Sequence, residues 1–405
     1  MNILFVADVS IASVTSGSEK VLYEQCACLV RRGHEVHLLT RRLPFHTSLG
    51  ETIDGVKEWR YGFRKKLPYP FLRSIFSDCR HSFSSIQKNS SFHIINFHQP
   101  FSALGVLSSR ASYGIPTFYT CHSLSFQEYA SQFSPLTNSK DWVFYRMELL
   151  GRKLAEKAAL RKSDHILVLS EYTREKLEKV YKVSPAKITV IPAGVDLNRF
   201  RPHEDKQFLR NRLGIPNSHF TLLTVRNLEP RMGLENLILA FKKILDTKTH
   251  VCLIVGGEGP LSQDLKNLAT EVGAEDSVKF TGYIADEKLP HYYQMADLFI
   301  LPTKELEGFG LVTVEALASG LPVLGTPVGG TKEILAHMGP EFLFSDVTPD
   351  SMARLILESM QGWATNPEIY NEISRKCRKV AENHFSWDAH ITMLENLYHI
   401  TLQQA

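Results

Sequence analysis

Residues Pro302 to Leu335 read PTKELEGFGLVTVEALASGLPVLGTPVGGTKEIL, and the succession of elements in this stretch decides the fold. Leu311, Val314, Leu317 and Ala318 stand at the i, i+3, i+6, i+7 spacing of one buried helical face, so Leu311 to Ser319 is expected to be a helix. Pro322-Val323-Leu324-Gly325-Thr326 follows as a short strand. Glu315 therefore sits inside the helix, while Glu307 and Gly308-Phe309-Gly310 lie in the loop that feeds its start. A helix N-terminus offers free N–H groups and a favourable dipole to an anion, and a carboxylate can accept both hydroxyls of a vicinal diol. The pattern suits a ligand with phosphate and several hydroxyls. A surface loop with one solvated and one capping glutamate has the same spacing, and local sequence leaves both readings open.

The same alternation runs outward along the chain. Strands are expected at Ile3–Val6, Glu35–Leu39, Ile94–Phe97, Thr117–Thr120 and His165–Leu169. A second set is Thr221–Val225, Val251–Val255, Lys279–Thr281, Leu298–Leu301 and Pro322–Gly325. Helices fill the gaps at Ser18–Arg32, Glu171–Tyr181, Leu234–Leu245, Gln263–Glu271 and Asp286–Gln294. Strands separated by helices imply parallel sheets covered on both faces. Two sets of about five strands imply an α/β protein of two doubly wound, Rossmann-like domains, divided as 1–198 and 199–386 near Gly194–Pro202. Ligands in such folds bind beyond the carboxyl ends of the strands, so a cleft where two domains face each other is the expected site.

Bulk properties narrow the class. A chain of 405 residues, 43% hydrophobic and 22% charged, is expected to be globular, and its net charge of +3 gives no argument for nucleic acid. No run reaches the roughly 18 apolar residues of a membrane span, and MNILFVADVSIASV lacks a basic n-region, which points to the cytoplasm. The six cysteines are scattered, so neither disulfides nor a zinc site is expected.

Five strand or helix ends hold residue types suited to chemistry. Thr15-Ser16-Gly17-Ser18-Glu19 opens the first helix, and Gly17 lets backbone approach a ligand. Gly256-Gly257-Glu258-Gly259-Pro260 ends a strand and is expected to be a tight structural turn. His98 and His122 close successive strands and would point the same way. Arg226-Asn227-Leu228-Glu229-Pro230-Arg231-Met232-Gly233 follows a strand and precedes a helix, where arginine forks suit a diphosphate; a solvated basic loop would look the same.

In this order the segments resemble family 4 retaining glycosyltransferases, whose fold is GT-B. The family's EGFGLxxxEAxAxGxPVxxxxxGGxxE element stands as Glu307 to Glu333. Ser16-Gly17-Ser18-Glu19 is similar to its GGxE loop, and Arg32-Gly33-His34-Glu35-Val36 to its RGHEV. Ile191-Pro192-Ala193-Gly194-Val195-Asp196 resembles the IPNGVD linker, Phe280-Thr281-Gly282-Tyr283 the base-binding turn, and Phe385-Ser386-Trp387 the FSW before a last helix, about 387–405, that returns to the N-terminal domain.

The resemblance implies sugar transfer from a nucleotide diphosphate sugar, most often a UDP-sugar, to a glycan or lipid-linked acceptor in polysaccharide or glycoconjugate biosynthesis. It implies an acceptor-binding first domain, a donor-binding second domain, and no metal or other cofactor. By position, Glu315 would bind the ribose, and Glu307 the donor-sugar hydroxyls beside Gly308 and the Phe309, Gly310 and Leu311 backbone. Gly17 would meet the diphosphate, His122 the donor sugar, and the Tyr283 or Ile284 backbone the base. The leaving diphosphate would be stabilised electrostatically and help deprotonate the acceptor.

Three motifs depart from the family. Ser16 replaces a glycine, Ala193 replaces the linker asparagine, and Asn227 and Met232 stand where arginine and lysine are usual. Arg226 and Arg231 each lie one residue earlier and are expected to serve the diphosphate, Arg231 foremost. That displacement motivates an alternative, a non-catalytic nucleotide-sugar-binding subunit. A glycoside hydrolase would need a second matched carboxylate, which the N-terminal loops do not offer. Acceptor choice is expected to reside in Phe63–Phe83 and Ser123–Arg146. The first of these mixes Arg64, Lys65, Lys66, Arg73 and Arg80 with apolar residues, as peripheral membrane contact through the N-domain would require.

Overall fold

The computed structural model describes residues 1–14, 16–62, 68–131, 139–203 and 205–404, with backbone alone at 68–75, 139–141 and 364. Thr15, and Arg64, Lys65 and Lys66 of the basic segment Phe63–Phe83, thus lie outside the residues described, and of Arg73 only the backbone is described. The chain divides into two compact units, Met1–Ala193 with Trp387–Ala405, and Gly194–Ser386.

The first unit is built on strands β1 (Asn2–Val6), β2 (Glu35–Arg41), β3 (Gly50–Ile53), β4 (Val56–Tyr61), β5 (Ile94–Phe97), β6 (Thr117–Cys121), β7 (His165–Val168) and β8 (Ile188–Val190). They form one sheet in the order β3-β4-β2-β1-β5-β6-β7-β8. β1 lies at its middle, with Ile3 opposite Val36 on one side and Ile94 on the other. Ile3 to Val6 are fully buried, as a strand covered on both faces requires.

Among the described residues, eight strands stand where five were expected. β3 and β4 form the antiparallel edge, closed by Asp54 (φ 47°) and Gly55 (φ 82°), a two-residue turn with both centres left-handed. β8 is only three residues long and completes the far edge.

The last helix, Trp387–Gln404, belongs to this unit. Asn96 Nδ2 on β5 donates to Tyr398 Oη at 2.8 Å. Arg32 donates to the Asp388 carbonyl (2.8 Å) and Thr392 Oγ1 (2.9 Å) and pairs with Asp388 and Glu395, while His34 Nε2 meets Glu395 at 2.6 Å. The RGHE segment is thereby the clasp for the returning helix.

The second unit holds β9 (Phe220–Val225), β10 (Val251–Gly256), β11 (Val278–Gly282), β12 (Leu298–Leu301) and β13 (Val323–Gly325), all parallel, ordered β11-β10-β9-β12-β13. The division falls five residues earlier than the sequence placed it. Val195 N donates to the Phe385 carbonyl at 2.8 Å, and Phe200 packs edge-on against Tyr293, so the linker is part of this unit. All six cysteines are free. No helix among the described residues is long and apolar enough to cross a membrane.

Candidate functional site

Strand order in the second unit reverses at β9: β10 and β11 lie to one side, β12 and β13 to the other. The carboxyl ends of β9 and β12 therefore flank a topological switch point, where loops diverge and leave room for a ligand. The loop after β9 carries Arg226, and the loop after β12 carries Glu307. Arg226 Nη2 donates to Glu307 Oε2 at 2.5 Å, and both side chains are about nine-tenths buried. Thr303 Oγ1 donates to the same oxygen at 3.1 Å. Oε1 of Glu307 makes no bond to any described residue. The carboxylate is fixed by one oxygen and presents the other.

The helix Leu311–Ala318 begins immediately after, with Gly310 as its N-cap. Glu315 is 3% exposed and accepts from Tyr293 Oη at 2.9 Å. Burial, then the neighbouring Glu315 charge, pushes the Tyr293 hydroxyl well above its usual range, so it stays a donor. Behind the loop, the helix Gly329–Ala336 starts against the backbone of 307–309: Gly330 N donates to the Glu307 carbonyl at 2.9 Å. A Cβ at Gly330 would lie 2.7 Å from Phe309 Cα, which is why the second glycine of that pair is needed.

Arg231 lies in the short 3-10 turn Pro230–Met232. Its Nε donates to Glu229 Oε2 (3.1 Å) and its Nη1 to the Leu306 carbonyl (3.0 Å). It thus braces the residue before Glu307 rather than standing in solvent. Gly257 (φ 121°) is a structural turn, since a Cβ there would lie 1.9 Å from the Arg226 carbonyl. Next to it, Glu258 Oε1 accepts from Tyr283 N at 3.3 Å; the Tyr283 ring is exposed and Ile284 is buried.

In the first unit, Gly17 opens the helix Gly17–Arg31 behind a capping box in which Ser16 and Glu19 exchange bonds. His98 and His122 end the adjacent strands β5 and β6, and His98 Nδ1 meets His122 Nε2 at 2.9 Å. A third imidazole, His390 on the last helix, lies behind them. Its Nδ1 donates to the Pro192 carbonyl (2.8 Å), and its Nε2 accepts from Gln25 (2.9 Å). Burial lowers all three basicities, so the cluster is neutral at ordinary pH.

Comparison with known proteins assigns the arrangement. The model of "Glycosyl transferases group 1" matches residues 205–380, and that of "Glycosyltransferase Family 4" matches 15–199. The chain belongs to the group 1 glycosyltransferases of family 4. This glycosyltransferase is 29% identical over 392 residues to mannosylfructose-phosphate synthase of Agrobacterium fabrum, covering 93% of this chain and 84% of that protein. It is 30% identical over 313 residues to α-monoglucosyldiacylglycerol synthase of Streptococcus pneumoniae, 73% of this chain and 64% of that one. Over 203 residues it is 30% identical to the GDP-mannose-dependent α-(1-6)-phosphatidylinositol monomannoside mannosyltransferase of Mycobacterium tuberculosis, 48% of this chain and about half (52%) of that relative.

Two solved structures share the GT-B fold along their whole length. Sucrose-phosphate synthase from Thermosynechococcus elongatus superposes with a TM-score of 0.81 at 21% identity, covering 100% of both chains. Anabaena HepE in complex with UDP-glucose does so with a TM-score of 0.73 at 19% identity, again over 100% of both. Within the second unit, the loop that carries Glu307, paired with Arg226, leads into Leu311–Ala318, which carries Glu315; Gly17 and His122 belong to the first unit. The partners Thr303, Tyr293 and His390 went unread. They are polar residues in ordinary sequence surroundings, and only the fold gives them a role.

Proposed function

We propose that this enzyme is a retaining, metal-independent hexosyltransferase that moves a sugar from a nucleotide diphosphate sugar to a glycan or lipid-linked acceptor in the cytoplasm. The observation that carries it is the pair of immobilised carboxylates at the switch point: Glu307 held by Arg226 and Thr303, and Glu315 held by Tyr293. Oε1 of Glu307 is the acceptor we assign to donor-sugar hydroxyls, with Gly308 and the Phe309, Gly310 and Leu311 backbone beside it. Glu315 is assigned to the ribose and the backbone at Tyr283 and Ile284 to the base. Gly17 and His122 of the first unit are assigned to the diphosphate and the donor sugar. Arg231 is assigned to the diphosphate, and Arg226 to charge balance around Glu307. The UDP-glucose complex of a protein with the same fold favours a UDP-sugar, while the GDP-mannose-dependent relative keeps a second base in contention.

A thermal-shift screen of UDP-, GDP- and ADP-sugars tests this reading. A saturating donor at 100 times its Kd adds about 2.7 kcal/mol to the native state, enough for a clear rise in melting temperature. Glu315→Ala should abolish that rise, and Glu307→Gln should keep donor binding yet cut transfer about a hundredfold or more. Full transfer by both variants would sink the assignment. The substitution of Asn227 and Met232 for the usual cations favours a second reading, a nucleotide-sugar-binding subunit without activity. Transfer or donor hydrolysis by the purified protein would dispose of it.

A further inference from the structure

The helix Ser139–Lys162 in the first unit, whose first turns fall within the segment expected to choose the acceptor, carries an exposed apolar face. Val143, Met147, Leu150 and Leu154 follow the i, i+4, i+7, i+11 spacing of a single stripe and are 52–65% exposed. Trp142 (51%) and Phe144 (54%) flank its start, so six large apolar side chains stand in solvent within thirteen residues. At Gly151, on the same face, an added Cβ would meet nothing within 4 Å. Isolated exposed apolar residues need no explanation, but a contiguous stripe of this kind marks a docking surface.

The charges beside the stripe say what docks. Arg146, Lys153, Lys157, Arg161 and Lys162 border or extend it, and the carboxylates described on this helix face elsewhere. Glu156 is buried beneath Ser125 N and Tyr181 Oη, and Glu148 is tied to Arg152 and Tyr129. The Arg146 guanidinium lies 5.2 Å from the Trp142 ring centroid, an amphipathic pair suited to a polar–apolar boundary. Two copies packed through this face would set five cations against five. A polyanionic surface with an apolar interior complements both features.

We infer that the exposed face of Ser139–Lys162 docks the enzyme on an anionic lipid bilayer, with the stripe among the acyl chains and the cations at the headgroups. The inference is independent of donor identity, because it concerns no residue assigned to the donor. It moves the membrane contact from Phe63–Phe83, where Arg80 alone of the five cations has a described side chain, to this helix.

Flotation of the full chain with vesicles tests it. Wild type should float with phosphatidylcholine–phosphatidylglycerol vesicles and stay behind with phosphatidylcholine alone, and added salt should weaken the binding. Met147→Ser/Leu150→Ser/Leu154→Ser should lower partitioning about tenfold or more, and Lys153→Glu/Lys157→Glu/Arg161→Glu should erase the preference for anionic lipid. All six positions are solvent-facing or half-buried, and unchanged melting curves would establish that the variants fold. The Trp142 fluorescence should shift to the blue on mixed vesicles, and Trp142→Phe should remove that change. Absence of wild-type binding, or equal binding by the serine variant, overturns the inference. So does a lipid-free dimer that the serine variant dissolves, since the face would then belong to a second copy.

Discussion

Arg226 and Glu307 are the residues whose relation changes most between sequence and structure. Each stands in the loop after its own strand, 81 positions apart, and at 2.5 Å they form a pair about nine-tenths buried. Breaking such a pair strands a charge, which typically costs about 3–5 kcal/mol, whereas replacing both members by apolar groups can be nearly neutral. Arg226→Met should therefore lower stability by about that amount, as chemical denaturation would show. Adding Glu307→Met should restore most of the stability while transfer stays abolished. If the single variant is as stable as wild type, the pair is not the clamp described. Local sequence revealed both residues as candidates but could not pair them, since a contact between two loops is set by strand order.

A second buried carboxyl makes a prediction about pH. Glu156 accepts from Ser125 N at 3.1 Å and Tyr181 Oη at 2.5 Å, and burial raises its pKa to about 7 from the usual 4.5. The folded state thus holds a proton that the unfolded chain releases above pH 4.5. Its stabilising contribution is full below that pH and is lost as pH rises through about 7, up to about 3 kcal/mol in all. Glu156→Gln cannot lose that proton. Its stability should fall less than that of wild type between pH 5 and pH 8, and an identical fall in both proteins would refute the assignment.

At the scale of elements, the loop 307–310 owes its shape to what lies behind it. The helix Gly329–Ala336 begins in contact with the loop backbone, leaving no room for a Cβ at Gly330. Gly330→Ala should push the Glu307 loop forward, lowering transfer by an order of magnitude or more while the melting temperature falls only a few degrees. Unchanged kinetics would show that the loop does not need this support. All ten strands expected from apolar runs are present, because buried parallel strands advertise themselves as unbroken Val, Ile and Leu. Of the three that went unread, β3 and β8 are edge strands and β4 lies between β3 and β2, and none of them is buried along its whole length, so the apolar run is short. For β3 and β4 a signal did exist: Asp54-Gly55 between Ile53 and Val56 is a two-residue hairpin turn, and it outweighs the polar content of Gly50–Ile53.

Across the whole molecule, chain order and fold order part company at the C-terminus. Trp387–Gln404 follows the second unit in sequence but is a layer of the first. Ile391, Leu394 and Tyr398 are fully buried there and Trp387 nearly so. At about 1.5–3 kcal/mol per buried side chain, four such anchors contribute about 6–12 kcal/mol, comparable to the entire stability of an ordinary domain. Ending the chain after Ser386 would also leave Asn96 Nδ2 without Tyr398, and the Arg32 and His34 clasp without its acidic partners. The first unit should then fail to fold, while 194–386 keeps its sheet and its own core. Limited proteolysis of the truncated chain should degrade residues 1–193 and leave a resistant fragment near 194–386. A truncated chain that resists proteolysis throughout, with the wild-type melting temperature, would mean that the first unit closes its core without the helix.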